Sequence, residues 1–155
     1  MNTRIITIGR QFGSNGHLIA HELAKQLGIK CYDKSLISFA AEHTGIPYSR
    51  LEIVDEKKEN KWRYLVDGEE KKQCKHIYLY APEDFRIHTI MNRYGMSKKD
   101  AANLMKKVDK DRRYYYNYHT DQKWEAFQNY DLTLNTASFT LKEILDILEY
   151  VFRQL

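Results

Sequence analysis

The sequence predicts an α/β fold in which helices pack against a small parallel sheet. Three observations lead to this prediction. A β-branched strand, Ile5–Ile8, runs into a glycine-rich loop and then into an amphipathic helix, His17–Leu27. Apolar extended segments continue to alternate with helical ones, which is typical of parallel sheets. The chain also contains no internal repeat or low-complexity tract that would indicate another architecture.

The first half of the chain predicts two helices and a polar region. Apolar residues spaced four apart mark the helix that ends at Leu27, and Gly28 follows in the position of a C-terminal cap. An extended segment, Ile29–Tyr32, ends at Asp33, and a second helix is predicted over Ser35–Glu42. Residues 49–75 are strongly polar. We expect this region to be mobile, or to be the truncated remnant of a binding region.

The second half predicts two strands and three helices. In order, they are a buried strand His76–Ala81, a helix Glu83–Tyr94, a helix from Ser97 toward Tyr116, a strand Asp131–Leu134 and a final helix after Thr140. Pro82 and Gly95 bound the first of these helices. The other two begin with patterns typical of helix caps, Ser97 with Asp100 and Thr140 with Glu143.

Composition limits the classes of function. With 155 residues the chain is long enough for one domain with a core, and 43% hydrophobic residues exclude a disordered protein. No apolar run approaches the roughly 20 residues of a membrane helix, and no leader pattern is present, so we expect a cytoplasmic protein without a membrane partner. The cysteines Cys31 and Cys74 form no C-x-x-C pair and are expected to be reduced. A net charge of +4 suits a phosphate-bearing partner without requiring nucleic acid.

The glycine-rich loop predicts a phosphate site. Gly9, Gly13 and Gly16 lie between the first strand and the first helix. Small residues let backbone N–H groups converge on an anion, and the start of the helix adds about half a positive charge. The loop matches neither G-x-x-x-x-G-K-[ST] nor G-x-G-x-x-G. Glycines that serve only tight packing remain an alternative interpretation.

Six stretches of the chain carry a resemblance to a known family. They are residues 5–17 (IITIGRQFGSNGH), 27–37 (LGIKCYDKSLI), 77–87 (IYLYAPEDFRI), 90–97 (IMNRYGMS), 106–116 (KKVDKDRRYYY) and 129–136 (NYDLTLNT). In these stretches the chain resembles the cytidylate kinase-like family of P-loop nucleoside monophosphate kinases. The resemblance implies one three-layer α/β/α P-loop NTPase-like domain over residues 1–155, with a helical lid at 97–120. It also implies phosphoryl transfer from ATP to CMP or a related nucleotide, with Mg²⁺.

The resemblance further implies roles for individual residues. The donor phosphates would contact Gly9, Arg10, Gly13, Ser14, Asn15, Gly16 and His17. The catalytic set would be Arg112 and Arg113 of the lid, with Asp109. The acceptor nucleotide would contact Asp33, Arg86 and Arg93. Arginine suits such a site because its planar fork binds phosphate oxygens in pairs. No protein residue is assigned as a metal ligand.

The chain departs from the family pattern in two places. Gly16 and His17 stand where the family's loop usually carries Lys and Ser or Thr, so Ser14 is the only hydroxyl left for Mg²⁺. Relatives also carry a longer stretch and a further strand beside the first one, and nothing in Leu51–Lys75 matches that strand. The sheet is therefore predicted to be incomplete, by a natural deletion, a constructed one or a segment missing from the sequence.

Two other functions stay open. Without the loop lysine, the protein could be a degenerate relative that binds nucleotide but does not catalyse. The run from Arg112 to His119, with Lys106 and Lys107 upstream, could instead be a basic and aromatic surface for nucleic acid, the less favoured interpretation. His17 and His21 could hold a metal on one helix face, but the Glu of H-E-x-x-H is absent, which argues against zinc hydrolysis.

Overall fold

The computed structural model describes residues 4–33 and 74–155, apart from the side chain of His119. The elements are β1 (Ile5–Arg10), α1 (Gly16–Leu27), β2 (Cys74–Tyr80), α2 (Glu83–Tyr94), α3 (Lys98–Thr120), a 3₁₀ turn (Phe127–Asn129), β3 (Leu132–Asn135) and α4 (Leu141–Arg153). The predicted α/β fold with a small parallel sheet is confirmed.

The three described strands form one continuous parallel sheet in the order β1-β2-β3. Ile5 lies opposite Cys74, and Ile77 lies opposite Leu132, so the carboxyl ends of all three strands meet at one edge. Among the described residues β1 has a neighbour on one side only. The strand that relatives place there would come from residues 34–73, outside the described part, so an incomplete sheet stays a prediction.

The main core lies between the sheet and the pair α1 and α4. Ile77 and Leu79 alternate along β2 and are fully buried on the same face. Ile19 of α1 and Leu148 of α4 pack against this face with the rest of the cluster. Burying an aliphatic side chain of this size contributes about 1.5–3 kcal/mol. This core fixes β1 and α1 relative to each other, and thereby the ends of the loop between them.

The opposite face of the sheet is aromatic. Tyr78 projects there, in a stacked contact with Tyr130 and an edge contact with Trp124. Tyr116 of α3 stacks on Tyr130 and so joins this helix to the same face. Helices α2 and α3 also pack on each other through a second cluster made of Ile87, Ile90, Ala101 and Met105. Helical elements therefore cover both faces of the sheet.

The predicted caps are confirmed, whereas some boundaries differ. Ser97 caps α3, and Thr140 forms a full capping box with Glu143 at α4. β2 begins at Cys74 rather than His76, because two residues of the predicted polar region pair with β1. β3 lies one residue later than predicted.

The predicted extended segment Ile29–Tyr32 after α1 does not form a strand of the described sheet. Residues 29–33 are irregular, and the Ile29 N–H bonds back to the Ala24 carbonyl of the helix instead of to a neighbouring strand. The predicted helix Ser35–Glu42 and residues 49–73 lie outside the described part of the chain.

Candidate functional site

The loop between β1 and α1 needs glycine at two of its positions. Gly13 has φ +85°, and a Cβ atom there would lie 2.7 Å from the Arg86 carbonyl oxygen. A Cβ atom on Gly16 would lie 2.6 Å from the side chain of Arg10. Asn15, also in the left-handed region with φ 60°, precedes the first helical residue. The loop is therefore a tight turn that brings backbone N–H groups to the start of α1.

Two polar side chains attach this loop to the carboxyl edge of the sheet. The Gln11 backbone N–H donates to the Leu79 carbonyl (3.0 Å), and the Gln11 side-chain oxygen Oε1 accepts from the Ala81 N–H (3.2 Å). The Thr136 hydroxyl donates to the Ser14 carbonyl (2.8 Å). Neither side chain was predicted from the sequence to be part of the site. A usable signal was present, since Gln11 and Thr136 each follow a parallel strand and such strand ends share an edge.

A buried ion pair between α2 and α3 is bonded to the backbone of the loop. Asp109 of α3 accepts from the Phe12 N–H (2.8 Å) and from Arg86 Nη1 of α2 (2.5 Å). The same Nη1 atom donates to the Phe12 carbonyl (3.4 Å). Asp109 and Arg86 are only 7% and 9% exposed. The predicted catalytic Asp109 and the predicted acceptor residue Arg86 are therefore each other's partners, and both grip the loop backbone.

The neighbouring arginines of α3 point to different places. Arg112 Nη1 donates to the Arg10 carbonyl at the end of β1 (2.8 Å), with its guanidinium carbon 5.6 Å from the centre of the Phe12 ring. Arg113 instead binds both carboxylate oxygens of Glu125, at 2.9 and 3.0 Å. Successive helical residues differ in direction by about 100°. Only Arg112 of the pair lies against the glycine loop.

The rim of the loop is positively charged. Burial lowers the pKa of Arg112, and the positive charge of Arg10 lowers it further, against the opposing effect of Asp109. Arg93 of α2 donates to the Asn15 side chain (3.3 Å) and adds a third guanidinium group. The positive charges of Arg10 and Arg112 repel each other, and Asp109 offsets this only in part because it is already paired with Arg86. A bound anion would relieve the repulsion.

The chain is similar to a known protein family and to a solved structure. The sequence model of the cytidylate kinase-like family matches residues 5–73 and 65–138. The chain belongs to this family. A crystal structure of an uncharacterized protein from Eubacterium ventriosum ATCC 27560 is similar at 27% identity and a TM-score of 0.77, over 97% of this chain and 99% of that one. A search of curated proteins gave no match. Membership of the family indicates nucleotide kinase chemistry.

The only hydroxyl of this loop, that of Ser14, is hidden from its mouth. Ser14 is fully buried, and its Oγ donates to the Gln11 carbonyl (2.8 Å). The side chain therefore faces the protein, not the mouth of the loop. Its backbone carbonyl is occupied as well, by Thr136.

Two predicted subsites of the family meet at the start of α1. His17, predicted on the donor side, lies 3.1 Å from Asp33, predicted on the acceptor side (Nε2 to Oδ2). His21 approaches the same carboxylate oxygen at 3.4 Å. The three residues border a groove of about 570 Å³ between β1, α1 and residues 29–33, which Arg10 also lines. Sequence spacing showed the two histidines on one face but not the carboxylate that joins them.

The aromatic and basic run of α3 is divided between two sides of the helix. Tyr116 turns inward onto Tyr130, and Arg113 is paired with Glu125. Tyr114 and Tyr118 stack on each other at the surface, with ring centres 6.2 Å apart. The described side chains of the run therefore do not form one continuous surface for nucleic acid. Of the helices that the structure describes, none has the length and apolar character needed to cross a membrane.

Proposed function

We propose that this protein transfers a phosphoryl group from ATP to CMP or a related nucleoside monophosphate. The observation that carries the proposal is the contact between Arg112 and the end of β1. It joins residues 102 positions apart and brings a guanidinium group beside Arg10 at the glycine loop. Helix α3, which covers the predicted lid at 97–120, is thereby docked on the loop.

Phosphoryl transfer demands this kind of site. Its transition state is loose, with charge spread over three equatorial oxygens, so catalysis depends on positioning and on positive charge. The loop at 13–16 would supply backbone N–H groups and the positive end of α1. Arg10 and Arg112 would supply guanidinium groups in a partly buried setting, where their interaction with phosphate is stronger than in water.

The contacts divide the predicted site residues into two groups. Arg112 and Arg10 would contact phosphate, with Arg93 and Asp33 on the acceptor side. Asp109 and Arg86 would act as positioning residues, because their polar atoms hold the loop backbone. Arg113 would reach a nucleotide only by leaving Glu125.

The Mg²⁺ that accompanies ATP in such kinases finds no matching ligand in this loop. The Ser14 hydroxyl donates inside the protein, and no other hydroxyl lies between Arg10 and Gly16. The side chains of this loop therefore do not supply a direct protein ligand for Mg²⁺.

The lack of an accessible hydroxyl in the loop favours a second candidate, a relative that binds nucleotide without turnover. The loop has neither the lysine nor an accessible hydroxyl, yet its tight turn and the neighbouring guanidinium groups of Arg10 and Arg112 would still suit a bound anion. Such a protein would bind ATP through the loop and Arg112 but release it unchanged. The two candidates differ in turnover and not in binding.

A coupled assay for ADP tests the proposal, with CMP, UMP, dCMP, AMP and GMP offered separately together with ATP and Mg²⁺. We expect ADP formation with CMP or a close relative. Arg112→Ala should lower turnover by about 10³-fold or more, the range known for arginines that contact the transferring group. Arg113→Ala should have a smaller effect.

The matched control is Arg153→Ala, which removes an exposed arginine of α4 that pairs with Glu149. Turnover that is equal in the Arg112 and Arg153 variants would refute the proposed role of Arg112. Thermal stabilisation by ATP without any ADP would support the non-catalytic candidate. Absence of both would refute the nucleotide site itself.

A further inference from the structure

Three polar side chains outside the arginine rim converge on one point. His17 and His21 lie one turn apart on α1, with ring centres 4.3 Å apart. Gly28 ends the helix with φ 65°, and residues 29–33 then return along it. Asp33 reaches both rings with a single atom, Oδ2, at 3.1 Å from His17 Nε2 and 3.4 Å from His21 Nε2.

The separations match those of ligands that share a metal ion. For metal–ligand bonds of about 2.0–2.1 Å, neighbouring donor atoms lie about 2.9 Å apart in an octahedral site and about 3.4 Å apart in a tetrahedral one. The two His–Asp distances fall at or within these limits. The donor atoms of all three residues lie within 4.8 Å of one another. The two imidazoles are 54% and 45% exposed, so they can rotate and bring their donor nitrogens closer to each other.

We propose that His17, His21 and Asp33 form a binding site for a divalent transition-metal ion of the Zn²⁺ class. Two imidazoles and one carboxylate suit Zn²⁺ and its neighbours, whereas Mg²⁺ prefers oxygen ligands and water. The site is thus distinct from the Mg²⁺ that accompanies ATP.

The position of the site suggests what it would hold. Three protein ligands leave at least one coordination position open, and the cluster borders the groove of about 570 Å³. With one carboxylate and two neutral imidazoles, a bound divalent ion keeps a net charge of about +1. Arg10 lines the same groove. The open position would therefore take an anionic oxygen, such as that of a phosphate group.

Metal titration in the absence of nucleotide tests this site separately from the kinase proposal. Zn²⁺ binding is measured by calorimetry, and Co²⁺ serves as a spectroscopic probe through its visible absorption. We expect one ion per chain, not displaced by millimolar Mg²⁺. His21→Gln and Asp33→Asn should each weaken binding at least about tenfold, a loss that even outer-shell partners of a metal can cause.

His88→Gln is the matched control, since it removes an exposed histidine of α2. Cys31→Ser is a second control, because this thiol also lines the groove and could bind Zn²⁺. Both controls should bind Zn²⁺ as the unmodified protein does. No binding, equal binding in His21→Gln and His88→Gln, or loss in Cys31→Ser alone would each overturn the proposal. Circular dichroism of every variant establishes that it is folded, and Asp33→Asn provides the test if His21→Gln is not.

Discussion

The ion pair between Asp109 and Arg86 allows a quantitative test of how the loop is held. The Asp109→Asn substitution keeps the shape of the side chain and an oxygen for the Phe12 N–H, but it removes the charge. The side chains of both partners are 10% exposed, and Arg86 Nε already has no hydrogen-bond partner among the described residues. Removing one member of a buried pair leaves the other charge uncompensated, at a cost of about 3–5 kcal/mol.

Glu125→Gln is the control, because it breaks an ion pair of the same helix at the surface. Arg113 and Glu125 are 45% and 43% exposed, so the expected loss is only about 0.2–1 kcal/mol. Urea unfolding gives the free energy of unfolding of each variant. For a chain of this size about 2–4 °C is lost per kcal/mol, which predicts a fall in Tm of about 6–20 °C for Asp109→Asn.

Equal losses in the two variants would refute the argument from burial. A double variant separates charge from packing, since Asp109→Leu with Arg86→Met replaces the pair by apolar side chains. Such replacements of buried pairs are often neutral or stabilising. We expect the double variant to be more stable than Asp109→Asn. Continued instability would show that the hydrogen bond to Phe12 matters more than the charges.

Two further predictions concern single residues. Gly13→Ala should lower the free energy of unfolding in urea by about 1–3 kcal/mol more than Gly95→Ala. Both glycines have positive φ, but only at Gly13 would a Cβ atom lie against a carbonyl oxygen. Equal losses would contradict this and mean that the loop backbone can shift to accommodate the Cβ atom. Burial raises the pKa of Tyr78, whose hydroxyl has no hydrogen-bond partner in the described chain, so Tyr78→Phe should be at least as stable at pH 7. Above about pH 10 the Tyr78 hydroxyl loses its proton in the unfolded chain but keeps it in the folded one. The free energy of unfolding of the unmodified protein should therefore fall by up to about 1.4 kcal/mol per pH unit more than that of the Phe variant. Equal dependence of the two free energies on pH between about pH 9.5 and 11 would contradict this.

Local signals predicted the helices well. Pro82 and Gly95 gave the bounds of α2, and Thr140 with Glu143 gave the start of α4, because a cap depends on residues within one turn. The strand boundaries were less accurate. A strand ends where its partner ends, and the pairing of Cys74 with Ile5 cannot be read from either segment alone.

The candidate site was predicted in composition but not in arrangement. Arg112 lies at the loop, whereas its neighbour Arg113 is held by Glu125. The sequence run that contains both could not distinguish them, because the direction of each side chain depends on how α3 docks. For the same reason the sequence could not show that the polar atoms of Asp109, predicted to be catalytic, are directed to Arg86 and the loop. The contact of His21 with Asp33 depends on the path of the chain after α1, which no spacing rule gives.

The attachments of the glycine loop have a consequence for the order in which the protein can assemble. Phe12 is bonded to a residue 97 positions later in the chain, Arg10 to one 102 positions later and Ser14 to one 122 positions later. Such distant pairings close slowly, because the entropy of long chain loops must be overcome first. During synthesis the glycine loop therefore leaves the ribosome before these partners, and its set of supports is complete only after Thr136 has been added. Anion affinity should accordingly be among the last properties that the growing polypeptide gains.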